Sequence, residues 1–318
     1  MRVFVAGATG VLGRASVPQL LAAGHEVFGL GRTPEKLLRV KMMKAEPMRG
    51  DVLDADAMRR VIKEVQPDAI VNLATAIPLK LRLNPKDWGL NDLIRREGTA
   101  NLLAAARDAD LKLFVQESAI YVCRPQEADW ITEESPLTDH SFLRATIAME
   151  NSVRAATVPA TILRFAALMS ADSWHTQQSA TALRRGLLPI IGDGANFVSL
   201  IHAQDAARAI VCALANPKMA AGQTFNVSDD APAPMREILP VAAQLLNAPK
   251  PRSAPLLMAK MIAGAITVEV FTASYRLANT KIKQTLGFHP KFPTYRETWT
   301  EIAREINGLD FAPSDDLK

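Results

Sequence analysis

The stretch Val3-Phe4-Val5-Ala6-Gly7-Ala8-Thr9-Gly10-Val11-Leu12-Gly13 decides how the rest of the chain reads. Four apolar residues make a short β-type run, three glycines recur at every third position, and Leu12 opens a segment whose apolar residues return every three or four positions. A strand that turns through glycines into a helix presents bare backbone N–H groups at the helix start, where the peptide dipoles favour an anion. Gly7 permits the tight turn, Gly10 lets the backbone approach a pyrophosphate, and Gly13 lets the helix pack closely on the strand. The stretch therefore reads as the phosphate-binding turn of a dinucleotide site, with Gly7, Thr9, Gly10, Val11, Leu12 and Gly13 against the cofactor. A turn without a ligand is the alternative, and the flanking strand and helix weigh against it.

Outward from this turn, strand-like runs at 26–30, 45–49, 69–73, 111–117 and 160–165 alternate with helix-like stretches at 12–23, 55–65, 90–109 and 142–156. That alternation predicts an α/β fold, a Rossmann-type doubly wound parallel sheet with right-handed crossovers. After Phe165 the rhythm breaks. Residues 169–188 read as a helix, 196–201 as strand-like, 203–215 as a helix, and the remainder as short helices separated by proline stops at Pro232, Pro234, Pro240, Pro251 and Pro255. This part is expected to form a smaller, discontinuous, mostly helical substrate lobe, and 310–318 a polar tail.

The 318 residues carry 37 Lys and Arg against 33 Asp and Glu, with the charges scattered, so a dedicated nucleic-acid binder is not indicated. Cys123 and Cys212 have no C-x-x-C partner, which argues against zinc ribbons and disulfide frameworks and for a reducing cytoplasm. No secretory leader is evident. The most membrane-like segment, 255–271, is too short for a span and includes Lys260 and Glu269, so it reads as a buried or lid helix.

The second strand ends in Gly31-Arg32, where an NAD site usually places an acid on the ribose hydroxyls. A guanidinium suits a 2′-phosphate, so Arg32 favours NADP over NAD. Lys36, Arg39, Lys41 and Lys44 follow, the last three as solvated cations. Asp51, after the third strand, can accept from the adenine amino group.

Further motifs stand in order along the chain: Gly50-Asp51-Val52, Val71-Asn72-Leu73-Ala74, Glu97-Gly98-Thr99-Ala100-Asn101, Leu163-Arg164-Phe165, His202-Ala203-Gln204-Asp205 and Gly222-Gln223-Thr224-Phe225-Asn226. With the glycine turn, they make the chain resemble the extended short-chain dehydrogenase/reductase family of epimerases, dehydratases and related reductases. The resemblance implies a dinucleotide-binding domain over 1–165 and 196–228 and a substrate-binding lobe over 166–195 and 229–318. It puts Val52, Leu73, Ala74 and Thr75 along the cofactor. It also implies a catalytic Ser after the fifth strand, matched by Ser118, and a Tyr-x-x-x-Lys pair on the next helix. Aligned on Glu150, that helix has Phe142 at the Tyr position and Thr146 at the Lys position, and no Tyr in the chain is followed four residues later by Lys. Phenyl has no exchangeable proton and Thr no charge, so neither replaces the pair.

Proton delivery then falls to Tyr121, His140, Glu117 or water. Glu117, a carboxylate ending a buried strand, needs a partner or a cleft; Arg144 and Arg164 are the expected partners. These residues point to an NADP-dependent oxidoreductase acting on a small carbonyl, imine or enoyl-type substrate, with Ser118 orienting it. A catalytically silent dinucleotide-binding sensor or scaffold is the alternative, and a nucleotide-sugar epimerase or dehydratase the third reading. Apolar stripes on 90–109 and 142–156 allow a homodimer or extra core.

Overall fold

In the computed structural model the described residues are 1–80, 82–126 and 129–309. The expected tail at 310–318 lies outside the described residues.

The chain opens as β1 (Arg2–Ala6), α1 (Val11–Ala22), β2 (Glu26–Gly31), α2 (Pro34–Met42), β3 (Glu46–Arg49), α3 (Ala55–Val65) and β4 (Ala69–Asn72). A long helix follows in three pieces: α4 (Gly89–Leu93), a π-helical turn (Ile94–Gly98) and α5 (Thr99–Ala106). Then come β5 (Leu113–Ala119), α6 (Arg144–Arg154), β6 (Ala160–Phe165), β7 (Ala167–Met169), α7 (Trp174–Arg184), β8 (Ile190–Ile191), β9 (Phe197–Val198), β10 (Leu200–His202), α8 (Ala203–Ala215), α9 (Pro217–Ala220) and β11 (Thr224–Val227). The last part holds β12 (Ala233–Pro234), α10 (Met235–Leu245), β13 (Ser253–Ala254), α11 (Leu256–Ala263), α12 (Ala265–Thr272), α13 (Thr280–Leu286) and α14 (Tyr295–Leu309).

Seven parallel strands form the central sheet in the order β11-β6-β5-β4-β1-β2-β3, the expected doubly wound α/β architecture. Side chains alternate across it. Val3 and Val5 face the layer with Val17, Leu20 and Ile210, while Phe4 faces the layer with Met58, Ile62 and Leu102. Both faces of the central strands are covered, which is why β1 and β4 are continuous apolar runs, while the edge strand β3 exposes Glu46 and Arg49. The C-terminal part has its own core, where Ile238, Leu239 and Ala242 of α10 meet Trp299, Ile302 and Ile306 of α14.

Several elements differ from the sequence reading. Helix α2 was not anticipated as an element; it buries only Val40, so its apolar period is weak, and it depends on the Thr33 cap and Pro34 in its first turn. The run 169–188 divides into β7 and α7. Pro240 does not stop a helix but lies inside α10, whose face packs on α14. The segment 255–271 is neither one helix nor buried: Gly264, at φ +87°, splits it, and Leu257, Met261 and Ile262 are each 73% exposed. Among the described residues no helix is long and apolar enough to cross a membrane.

Candidate active site

The glycine turn joins β1 to α1. Gly7 sits at φ +81°, and a Cβ there would lie 2.5 Å from the Leu73 carbonyl carbon and oxygen. A Cβ on Gly13 would come to 2.2 Å from the Gly7 oxygen, so helix and turn touch backbone to backbone. Gly10 is different: it is exposed, and the one atom near its hypothetical Cβ is the Gly7 oxygen at 3.3 Å. It is also the N-cap of α1, which has no side-chain cap and no acidic residue in its first turn. By contrast α3 is capped by Asp54, which accepts from the Ala57 N–H at 2.9 Å. The bare end of α1 is therefore free to hold an anion, and the donor set fits a dinucleotide phosphate. Thr9 and Val11 are half-buried and Leu12 is buried beneath. The Thr9 carbonyl accepts from Arg14 Nη1 at 2.7 Å, and Arg14 Nε donates to Asp172 at 2.8 Å, tying the turn to the segment before α7.

Arg32 follows β2 and is half-exposed, with Nη1 3.3 Å from Asp51 Oδ2. The other Asp51 oxygen accepts from the Leu53 N–H at 3.1 Å. Lys36 is pushed below its ordinary value, first by burial and then by the charges of Arg32 and Arg39, so cations outnumber their local partners here. Val52 is buried and its Cγ2 would meet a Cβ on Gly98 at 2.9 Å. Leu73 is buried under Gly7, Ala74 donates its N–H to Asn72 Oδ1 at 3.2 Å, and Thr75 is exposed.

The four expected catalytic residues sit in separate environments. Ser118, at the end of β5, is fully buried and donates to Glu150 Oε1 at 2.7 Å. Glu150 is fully buried on α6, paired with Arg164 at 2.9 and 2.7 Å and with Arg154 at 2.6 Å. Burial pushes its carboxyl up, but hydrogen bonds and charge from Arg164 outweigh this and leave it below the usual range. Ser118 thus has a buried partner inside the fold rather than a free hydroxyl.

Glu117 pairs with neither Arg144 nor Arg164. Its carboxylate takes a fork from Arg95, 2.5 Å to Nη1 and 3.2 Å to Nη2, and its carbonyl accepts from Nη1 at 2.9 Å. Arg95 belongs to the π-helical turn, and its Nε meets no acceptor. A single-turn π segment inside an α-helix has no sequence period of its own, so nothing in the residue pattern marked Arg95. Tyr121 packs edge-on against Tyr275 with ring centroids 5.1 Å apart, and burial raises its pKa, keeping the phenol protonated. His140 lies with Nε2 3.7 Å from Glu269 and its ring 5.5 Å from Phe142, which in turn is 5.9 Å from Trp88. Phe142 is in the one-turn 3₁₀ segment before α6, and Thr146 is buried on α6. Among the described residues no cluster of His, Cys, Asp and Glu could hold a metal.

Comparison with known proteins agrees with this architecture. The profile of the NAD dependent epimerase/dehydratase family matches residues 3–228. A 3-diazoavenalumate denitrifying reductase from Streptomyces sp. is 31% identical over 93% of this chain and 98% of its own length. UDP-glucose 4-epimerase of Mycolicibacterium smegmatis is 27% identical over 92% and 94%. Among solved structures, the human epimerase family protein SDR39U1 with NADPH superposes with a TM-score of 0.78 at 23% identity, covering 96% of this chain and 99% of that one. With a glycine turn, a seven-stranded parallel sheet and this match over most of its length, the chain belongs to the NAD dependent epimerase/dehydratase family.

Proposed function

We propose that the protein is an NADP-dependent oxidoreductase acting on a small carbonyl, imine or enoyl-type substrate. The substrate would lie between a dinucleotide domain, 1–165 and 196–228, and a lobe formed by 166–195 and 229–318. The observation that carries the reading is the uncapped start of α1 at Gly10 with Arg32 at the end of β2. When bound, the cofactor supplies the hydride. The N–H groups after Gly10 would hold its pyrophosphate, Arg32 would take the 2′-phosphate, and Asp51 would accept from the adenine amino group. Val52, Leu73, Ala74 and Thr75 line the dinucleotide. His140 delivers the proton, since its ring is an acid–base group not held in such a pair, whereas Arg95 engages Glu117 and Ser118 is committed to Glu150. Ser118 then acts through α6, holding Glu150 and Arg164 in place, and Tyr121 backs the site as a neutral phenol.

The Streptomyces relative, named a reductase, supports hydride transfer. The same reading has the protein in a reducing cytoplasm, where its two unpaired cysteines are stable, and as a homodimer through the helices at 90–109 and 142–156.

The test is NADPH oxidation by the full chain against ketones, aldehydes, imines and enones from acid to alkaline pH. Steady, substrate-dependent oxidation is expected. Arg32→Glu should weaken NADPH by about a hundredfold and NADH by about threefold or less. Equal loss for both cofactors removes the 2′-phosphate assignment.

The buried Ser118 and the aprotic Phe142 also favour a second reading, a dinucleotide-binding sensor or scaffold; NADPH binding without turnover on any substrate would select it. The Mycolicibacterium relative supports an epimerase reading, which requires interconversion of a nucleotide sugar and would have to proceed without a Tyr-x-x-x-Lys pair.

A further inference from the structure

Between β4 and α4 the chain runs across to the α11–α12 turn, and the Leu83 N–H donates to Thr267 Oγ1 at 2.9 Å. A cavity of about 680 Å³ opens between the two segments. That size suits a small organic ligand. Leu83, Pro85 and Ile266 give it apolar walls. Of its two cations, Lys80 is neutralised by Asp87 at 2.9 Å. Arg82 has no hydrogen-bond or ion-pair partner among the described residues and lies against Gly264. A Cβ on that glycine, at φ +87°, would meet Arg82 Nε at 3.0 Å. Gly264 therefore both turns the chain and leaves room for the guanidinium.

The same elements reach His140, the proton donor proposed above. Trp88 ends the short helical turn Pro85–Trp88 and packs on Phe142, which packs on His140. His140 faces Glu269, one helical turn beyond Ile266 on α12.

We propose that this cavity binds the carboxylate of an amphipathic acid, with Arg82 as the anion anchor and Leu83, Pro85 and Ile266 covering its hydrocarbon part. One uncompensated positive charge suits a monoanion. A nucleoside diphosphate carries more negative charge than this lining can balance. The cavity is thus the substrate subsite of the reductase proposed above, and it rests on that reading for its role in catalysis.

Calorimetric titration of octanoate and cinnamate into the full chain tests the site directly, with their methyl esters as neutral controls and UDP as the diphosphate control. At least one acid should bind about tenfold more tightly than its ester. Arg82→Met should erase that preference while leaving ester affinity, NADPH affinity and the thermal midpoint unchanged, and Arg82→Lys should keep part of it. The proposal is overturned by equal binding of acid and ester to the wild type, by an acid preference that survives Arg82→Met, by tighter binding of UDP than of both acids, or by no binding of either acid up to millimolar concentration. NADPH affinity is titrated separately, so a wild type that takes the acid but not NADPH would defeat the oxidoreductase reading and leave the acid site standing.

Discussion

Asp229 is 1% exposed, its carboxylate has no side-chain donor among the described residues, and the backbone N–H groups of Leu200 and Ala231 offset only part of the cost of burial. Burial, and after it the charge of Asp230, pushes its pKa up to about 8. The folded state therefore holds the proton more tightly than the unfolded chain does. Stability from this group is complete below the ordinary Asp value, falls as pH rises, and is lost by about pH 8, where an unpaired carboxylate is buried. Asp229→Asn should be about 1–3 kcal/mol more stable than wild type in alkaline buffer and should match it near pH 4. Urea denaturation across that range checks this; a wild type that stays the more stable protein in alkali refutes it. His202 works in the opposite direction. Burial lowers it to about 4, so its neutral ring contributes stability above its ordinary value of 6.5 that is lost as acid charges it. Residues of this kind cannot be recognised in the sequence, because Asp229 and a solvated Asp are written with the same letter.

At the scale of elements, the glycine turn was legible because each glycine has a separate steric reason that survives in the residue spacing. Gly13→Ala should lower both NADPH affinity and the thermal midpoint, since its Cβ would overlap the Gly7 oxygen at 2.2 Å. Gly10→Ala should cost the midpoint far less than Gly13→Ala and weaken NADPH about tenfold or more, because its Cβ has a single protein contact, the Gly7 oxygen at 3.3 Å, and otherwise faces the side where the pyrophosphate is proposed. Calorimetry and thermal melts on both variants separate the two roles; equal melting losses would mean that Gly10 is a packing residue. The strands were legible for a similar reason, being buried on both faces. The π-helical turn was not: 90–109 reads as one apolar-periodic helix, and the extra residue that re-aims Arg95 toward Glu117 leaves that pattern unaltered. Pro240 misled in the other direction, since packing on α14 offsets its missing hydrogen bond.

For the molecule as a whole, the proposed dimer is the point where surface and core readings part. Across 90–109 and 142–156, Leu102, Leu103, Met149 and Val153 are buried in the protein's own core, while Leu90, Leu93, Ala100, Ala104 and Ala148 are exposed. A dimer through these helices would cover Leu90 and Leu93 together with the exposed alanines. Light scattering should then give twice the 34.6 kDa chain mass, and Ala104→Glu should return it to one chain without changing the melting midpoint. A wild type at single-chain mass removes the dimer.

The parallel sheet, the glycine turn and the family follow from local patterns, since strand burial and turn sterics act within a few residues of one another. The partners of charged groups do not. Glu117 meets Arg95 across 22 residues, Ser118 meets Glu150 across 32, and Arg14 meets Asp172 across 158. Among the described residues Arg82 has no charged partner, and it stands over a cavity whose other wall comes from Gly264 and Ile266. Coulomb and hydrogen-bond energies depend on distances of a few ångströms, and chain separation carries no information about those distances until the two layers and the lobe have packed.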